Sequence, residues 1–491
     1  MKKFYRKLAG WLAALLFFSG MLAGQAAPPA KPAGESPATT PDRKNTGDDA
    51  APSAEEGKIS PQEGEELFHE VDEILKFVSK DSGLPIKHEV KRRLTNRDQV
   101  VAYLEKNMRE DKSAQRVQRS ELVLKKFGLL PHDFTLSSFL VGLLREQIAG
   151  YYDEKTKTMN LLDWVPLGQQ RPVLAHELTH ALQDQSFNLE KWMKDGGDID
   201  KKKEITPADI VADESDETKQ AVVEGQAEAV MLDYTLADAG RSLVDSPEVV
   251  AALDHDMMDG TPDSVQFRNA PIFLKESLTF PYRYGVEFVV ALMKTGGKSK
   301  AFAGAFADPP QITRQIMEPQ TYLSGEHIEP MSLPDFKQLF NAYDRFDIGA
   351  IGEFDVCMLI EQYAGFDVAR RLYPHWRGGY YYSVLPKNHP TAPLGLLYVS
   401  RWSDSDTAAE FAAVYAKSLT QRYHQVHSAA ENGPAENLTT LDKLQGRHAW
   451  QTEEGTVVIA AKGDEVMVTE SLDELTSGKI EEGVFAAAAS K

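Results

Sequence analysis

The chain has 491 residues, a formal net charge of −20 and one cysteine. This length allows two or three domains, and the acidic excess argues against nucleic acid or an anionic membrane surface as a partner. A single cysteine excludes an intrachain disulfide, and the apolar neighbours of Cys357 predict a buried structural thiol.

The N-terminus has the organisation of a secretory signal peptide, predicted over residues 1–26. Basic residues precede an apolar stretch from Leu8 to Gly24, and small residues near Ala26 suit cleavage. An uncleaved anchor is the alternative, although the stretch is short for a bilayer span. The sequence around the cleavage position lacks the cysteine that lipidation requires. We therefore expect a secreted or periplasmic protein without stable membrane insertion once the signal is removed.

Residues 27–60 predict a disordered linker. They are rich in Pro, Ala, Ser, Thr and charged residues, and they cannot bury enough apolar surface to offset the entropy of ordering. From residue 61 the pattern becomes helical, with Leu67, Val71, Leu75 and Val78 at helical spacing. This position marks the expected start of the folded chain.

A short hairpin is predicted after the apolar segment 138–148. Its turn falls at residues 153–155 and its second strand at 158–162. An edge strand can hold an extended peptide by backbone hydrogen bonds, and by analogy this hairpin is a candidate for that role. A purely structural hairpin is equally compatible with the sequence.

The motif His176-Glu177-Leu178-Thr179-His180 is the strongest chemical signal in the chain. Residues i and i+4 share one face of a helix, so the two imidazoles can reach one metal ion. Glu177 follows the first histidine, where a general base would flank a water molecule. Pro172 suits a first helical turn, and apolar residues flank the histidines. The pattern predicts a helix that carries half of a zinc site.

A catalytic zinc ion usually has three protein ligands, and Glu224 is the candidate for the third. It lies in a helix predicted over residues 217–236, with Glu228 one turn later on the same face. Glu228 is expected to accept an N–H from a ligating histidine and to select its tautomer. Gly225 is costly in mid-helix unless another backbone approaches it closely. The alternative is that both glutamates lie on a solvated face.

Two further predictions concern the regions beside this helix. Residues 188–218 are long, charged and poor in large apolar groups, and they predict a mobile loop rather than a cover for the cleft. Residues 276–296 predict a helix after a proline turn, with Tyr282 and Tyr284 at its start. A tyrosine hydroxyl near the metal can donate to an oxyanion, and Tyr284 is the weakly favoured candidate. Alternatives are simple packing of the tyrosine, or the histidines His255, His327 and His375.

The C-terminal part predicts a small α+β unit over residues 391–491. Strands are expected at 394–402, 447–452, 456–461 and 465–469, with an amphipathic helix at 407–423. The region carries no chemical motif. With a predominantly helical catalytic domain at 61–390 and its edge-strand hairpin, the predicted fold class is α+β.

The region around the HExxH motif carries a family resemblance. His176 to His180 followed by Glu224 resembles the gluzincin branch of zinc metallopeptidases, which use two histidines and a glutamate as ligands. The segment 175–185 also resembles a little-characterised bacterial group of exported gluzincin-like proteins, as do 150–159, 281–289 and 309–322. The likeness covers roughly residues 140–325 and implies a zincin-like catalytic domain. One position departs from the group's pattern, because Glu318 precedes Pro319 where the group has a histidine.

The sequence therefore predicts an exported zinc-dependent metalloendopeptidase. His176, His180 and Glu224 would bind Zn²⁺, Glu177 would act as general base, and the partner would be a peptide or protein substrate. A second hypothesis is a catalytically silent, zinc-stabilised binding or scaffold protein of the cell envelope. A third is an accidental motif in an exported helical protein without metal. The substrate and the oligomeric state are open.

Overall fold

The computed structural model describes residues 59, 61–100, 102, 113–146, 151–165, 167–194, 199, 202, 204–259, 264–389, 391–429 and 438–489. The predicted signal peptide, and the predicted linker apart from Ile59, lie outside these residues. The described chain combines long helices with two β-sheets, which confirms the predicted α+β fold class.

The helices before the large sheet build most of the region around the HExxH motif. In chain order they are α1 Pro61–Ser82, α2 Ser113–Lys126, α3 Leu136–Glu146, α4 Leu167–Phe187, α5 Leu189–Lys194, α6 Pro207–Ala237, α7 Pro247–Asp259, α8 Val265–Arg268, α9 Ile272–Ser299, α10 Ala305–Ala307, α11 Thr313–Met317, α12 Pro319–Leu323 and α13 Phe336–Leu339. A π-helical segment, Lys300–Gly304, separates α9 from α10. The apolar residues predicted at helical spacing in α1 are all buried.

A small three-stranded sheet lies beside helix α4. Its strands are β1 Lys91–Thr95, β2 Tyr151–Asp153 and β3 Thr158–Leu162, in the order β1-β3-β2. Strand β3 pairs in parallel with β1 and antiparallel with β2, with Tyr152 opposite Met159. The predicted hairpin is confirmed, and its first strand is an edge strand.

A seven-stranded antiparallel sheet fills the C-terminal part of the described chain. Its strands are β4 Tyr343–Ala350, β5 Trp376–Pro386, β6 Gly395–Trp402, β7 Val426–Ser428, β8 Gly446–Thr452, β9 Gly455–Lys462 and β10 Glu465–Glu470, in the order β4-β5-β6-β10-β9-β8-β7. The remaining helices are α14 Glu353–Ala364, α15 Phe366–Leu372, α16 Ser405–Arg422 and α17 Glu474–Ala489. The predicted strands and the helix of this region are confirmed, whereas β4, β5, β7 and α17 were not anticipated.

Both faces of the large sheet are buried. Along β6, Leu396 and Tyr398 join the main core with Phe411 of α16, whereas Leu397 and Val399 join a second core with Ile480 of α17. Alternate residues of a strand point to opposite faces, so each face needs its own covering layer. The predicted domain boundary between residues 390 and 391 falls between β5 and β6, which are hydrogen-bonded neighbours in this sheet. The division stays a prediction, but the sheet continues across it.

Two predicted segments differ from the structure. The loop expected over residues 188–218 is largely helical, because α5 occupies Leu189–Lys194 and α6 begins at Pro207. The charged residues at the start of α6 are buried and bonded rather than solvated; Asp209, for example, accepts the Thr206 N–H at 2.9 Å. The helix predicted at 276–296 is α9, which begins earlier and contains Pro281 in its interior. Local polarity misled the first prediction, and the proline misled the second.

No helix within the described ranges has both the length and the apolar character that a membrane span needs.

Candidate metal centre

Helix α4 presents both histidines of the motif on one buried face. The ring centroids of His176 and His180 are 4.8 Å apart, and their Nε2 atoms are separated by 3.1 Å. Leu174, Ala175 and Leu178 of the same helix belong to the main core. The core thus holds this helix while its one-turn spacing directs two imidazole nitrogens at one point.

Glu224 of α6 reaches that point from 44 positions after His180. Its Oε2 atom lies 3.3 Å from the Nε2 atom of each histidine, while its Oε1 atom accepts a hydrogen bond from Gln220 at 2.6 Å. We call His176, His180 and Glu224 the His–Glu cluster. Glu224, the predicted third ligand, therefore lies beside both histidines.

The spacing within the His–Glu cluster fits a single metal ion. Ligand atoms about 2.0–2.1 Å from a tetrahedral ion lie about 3.3 Å from one another. The three observed separations are 3.1, 3.3 and 3.3 Å. Among the described residues, this is the one group of three or more His, Cys, Asp or Glu side chains close enough to share an ion.

The close crossing of α6 and α9 explains the glycine in mid-helix. A Cβ atom on Gly225 would lie 2.3 Å from the carbonyl carbon of Gly285, and one on Gly285 would lie 2.5 Å from the Ala221 carbonyl oxygen. Two glycines therefore let the backbones touch directly behind the ligand Glu224. This confirms the predicted close approach of a second backbone to Gly225.

The electrostatics of the cluster favour a cation. Burial raises the pKa of Glu224, but the charge of His180 and the close contacts with both histidines lower it to about 2. Burial lowers the pKa of His176, whereas Glu224 and Glu228 raise it to about 10. The Glu224 Oε2 atom is buried and accepts no hydrogen bond. The two glutamates therefore stabilise positive charge at this position, and a divalent ion would also satisfy the buried Glu224 Oε2 atom.

Glu228 lies behind His176, on the side away from Glu224. Its Oε2 atom is 3.4 Å from His176 Nδ1, and neither carboxylate oxygen accepts a hydrogen bond within the usual limits. Burial raises the pKa of Glu228, against the influence of His176. The position is the one predicted for a residue that orients the histidine, because a carboxylate at Nδ1 directs Nε2 towards the cluster.

Glu177 is buried and directed at strand β2. Its Oε2 atom accepts a hydrogen bond from the Tyr152 backbone N–H at 2.7 Å. Burial raises the pKa of Glu177, although the charges of His180 and His176 lower it. Glu177, the candidate base, therefore lies between α4 and β2. Its raised pKa favours the protonated form of its carboxyl group.

The tyrosine beside the cluster is Tyr282 and not Tyr284. The Tyr282 ring is fully buried, 6.3 Å from the ring of His176, and burial together with the charge of Glu224 raises its pKa well above the usual value. Tyr284 packs against Phe280 and Arg283. Two residues apart on a helix is about 200° of rotation, so the two side chains face opposite ways. The structure therefore brings Tyr282 to the cluster, and it does not place Tyr284, the tyrosine favoured from the sequence, beside it.

The histidines considered as alternatives do not join the cluster. His327 is exposed and pairs with Glu329, and His375 bonds Ser403 at 2.8 Å. The side chain of His255 lies outside the described residues. Among the described histidines, only those of the motif contribute to the candidate centre.

Four polar residues on α4 and on the hairpin were not anticipated from the sequence. Asp184, one turn beyond His180, accepts hydrogen bonds from the Tyr152 hydroxyl at 3.1 Å and the Lys157 ammonium at 2.5 Å. It thereby fastens the hairpin turn to the ligand helix. Glu154 in that turn is exposed as a residue, but neighbouring atoms crowd its carboxyl group. This partial loss of solvation raises the pKa of Glu154, whereas the charge of His180 lowers it. Of these residues, only Asp184 had a signal in the sequence, because it lies one helical turn after His180.

A comparison with protein-family models, curated proteins and solved structures finds no match to this chain. The chemistry of the site therefore rests on its own geometry.

Proposed function

We propose that the protein is an exported zinc-dependent peptidase of gluzincin type. The observation that carries the proposal is the His–Glu cluster, in which three buried atoms lie 3.1–3.3 Å from one another, with the buried carboxylate of Glu177 on the residue that follows His176. Two nitrogens and one carboxylate oxygen are a donor set that zinc accepts, with a fourth position left for water or substrate.

Zinc in such a site acts as a Lewis acid on a carbonyl group and promotes the ionisation of water near neutral pH. Glu177 receives the proton of the attacking water and later delivers it to the leaving amine. A raised pKa suits this exchange, because the carboxyl group has to gain and lose a proton during one turnover. Tyr282 stays protonated and donates its hydroxyl hydrogen to the carbonyl oxygen as negative charge develops there.

The proposed substrate is a peptide in an extended conformation. Strand β2 forms the edge of its sheet beside α4, and an edge strand can add another strand through backbone hydrogen bonds. Burial of Glu177 and of the ligand atoms limits access to a thin, flexible segment rather than a folded surface.

A second candidate is a zinc-stabilised scaffold that cleaves nothing. The observation in its favour is the hydrogen bond from Tyr152 N–H to Glu177, which occupies one carboxylate oxygen of the candidate base. On this view the ion would hold α4 and α6 together. The presence of a carboxylate next to an incompletely coordinated cluster argues for the peptidase, since a purely structural ion needs no base.

The deciding experiment is Glu177→Gln in the purified protein. We expect zinc content to remain and hydrolysis of a peptide library to fall by about 10²–10⁴-fold, because the amide cannot accept the proton. Glu329→Gln, on the exposed surface, is the matched control and should retain activity. Zinc binding by the unaltered protein without chelator-sensitive hydrolysis would favour the scaffold. Full turnover by Glu177→Gln would remove the proposed base.

A further inference from the structure

Two buried glutamines connect His180 to the π-helical segment Lys300–Gly304. Gln183 lies 2.9 Å from His180 Nδ1 through its Oε1 atom, and its Nε2 atom donates to Gln226 Oε1 and Val223 O, each at 3.0 Å. Both glutamine side chains are fully buried. The contacts run from α4 through α6 to a segment about 120 positions beyond the histidine.

The far end of this chain is fixed by backbone carbonyls. Gln226 Nε2 donates to Ala301 O at 2.8 Å and to Phe302 O at 3.1 Å. The Ala305 N–H bonds Lys300 O, five residues back, and not Ala301 O as in an α-helix. The π segment therefore directs a carbonyl group at Gln226 that an α-helix would use internally.

These contacts determine the orientation of every group in the hydrogen-bonded series from His180 to Ala301. A carbonyl oxygen only accepts, so Gln226 must turn its amide hydrogens to Ala301 and its Oε1 atom to Gln183. Gln183 must then turn its own hydrogens to Gln226 and Val223, which leaves its Oε1 atom facing His180. An amide oxygen only accepts as well, so His180 carries its hydrogen on Nδ1. In the neutral imidazole, the Nε2 atom of His180 then carries the lone pair, 3.3 Å from Glu224 Oε2, where a metal ion can bind it.

We propose that Gln183 and Gln226 are positioning residues that select the metal-binding tautomer of His180. The inference rests on the metal site of the proposed function but not on its catalytic step. It also makes the two histidines unequal, because His176 is backed by the carboxylate of Glu228 and His180 by a neutral amide. Groups of this kind typically contribute 10–100-fold to metal affinity.

The test measures the zinc dissociation constant of folded variants by competition with a chelator. Gln183→Met should raise the constant by about 10–100-fold, because His180 loses its acceptor. Gln226→Met should raise it less, since Val223 O still holds Gln183. In the double variant, Gln226→Met should add nothing to the effect of Gln183→Met, because the effects of two residues in one hydrogen-bond network are not additive. Gln170→Met is the matched control, because this buried glutamine bonds only Leu162 and Val165 among the described residues.

A spectroscopic measurement separates tautomer selection from loss of packing. In the zinc-loaded protein, nitrogen-15 NMR should show a slowly exchanging hydrogen on His180 Nδ1, and Gln183→Met should lose that protection. An unchanged signal and affinity in Gln183→Met, or additive effects in the double variant, would overturn the inference. Failure of the unaltered protein to bind zinc overturns it together with the proposed function. Zinc binding without hydrolysis overturns only the peptidase.

Discussion

The large sheet and the His–Glu cluster both bury carboxylates, but they balance the charge differently. In the sheet, Glu470 accepts hydrogen bonds from Arg422 and Tyr423 at 2.6 Å and from Tyr415 at 2.7 Å, with Lys126 at 3.8 Å. We call these five residues the sheet network. Burial raises the pKa of Glu470, but the charges of Arg422 and Lys126 lower it below its usual range.

The His–Glu cluster contains no lysine or arginine partner among its recorded contacts. Among the described residues, the ion-pair partners of Glu224 and the neighbouring Glu228 are histidines, and three of the four carboxylate oxygens accept no hydrogen bond from them. A buried carboxylate is stable when cations and donors of the same chain surround it. The carboxylate of the sheet network is therefore balanced by cations and donors of its own chain, whereas Glu224 retains an oxygen atom for an ion from outside.

The largest expected effect breaks the sheet network. Arg422→Met leaves Glu470 buried without its main cation and should lower the free energy of unfolding by about 3–5 kcal/mol. Urea denaturation followed by circular dichroism measures the change. Arg371→Met is the control, because its ion pair with Glu410 is on the surface and should contribute about 1 kcal/mol or less. A loss below 1 kcal/mol for Arg422→Met would contradict the role of the network.

A pH dependence tests a third arrangement, in which two carboxyl groups share one lysine. Asp81 and Asp233 both contact Lys298, and burial raises the pKa of Asp81 from 3.8 to about 6 despite the lysine. A raised pKa stabilises the folded state fully below pH 3.8, and this contribution is lost as the pH rises through about 6. The loss is on the order of 3 kcal/mol or less. Urea titrations between pH 4 and 7 should show the decline, and Asp81→Asn should flatten it.

Zinc should stabilise the cluster and leave the sheet network unaffected. At a free zinc concentration about 100 times the dissociation constant, we expect a gain of about 2.7 kcal/mol in the free energy of unfolding. Arg422→Met should show the same gain from its lower baseline. Glu224→Ala should lose most of it, together with zinc content by elemental analysis. An equal gain in Glu224→Ala would place zinc elsewhere on the protein.

The smallest effect tests the backbone contact behind the cluster. Gly225→Ala forces a methyl group against the Gly285 carbonyl and should cost about 1–3 kcal/mol. Gly478→Ala in α17 is the matched control, because its Cβ atom meets nothing within 4 Å. That change should be neutral or stabilise by up to about 1 kcal/mol through helix propensity. Thermal unfolding with both variants measures the difference, and equal behaviour would remove the need for a close crossing.

Several features were open to prediction because they depend on one element at a time. The one-turn spacing of His176 and His180, the spacing of Glu224 and Glu228, and the strand β3 follow from helical and strand periodicity. The significance of Gly225 also followed from local energetics, since a mid-helix glycine needs a reason. In each case the residue types and their spacing carried the whole signal.

Packing between elements decided the rest. Tyr282 and Tyr284 are neighbours in sequence, and only the orientation of α9 against α6 selects the first. Polar residues at the start of α6 appeared solvated until their partners were known, and β4 and β5 joined a sheet with β6 that no local pattern announced. Periodicity along a chain determines which side chains share a face, but the distances between faces depend on how separate elements pack. The distances within the His–Glu cluster, and the contacts of Gln183 and Gln226 behind it, therefore depend on packing between elements.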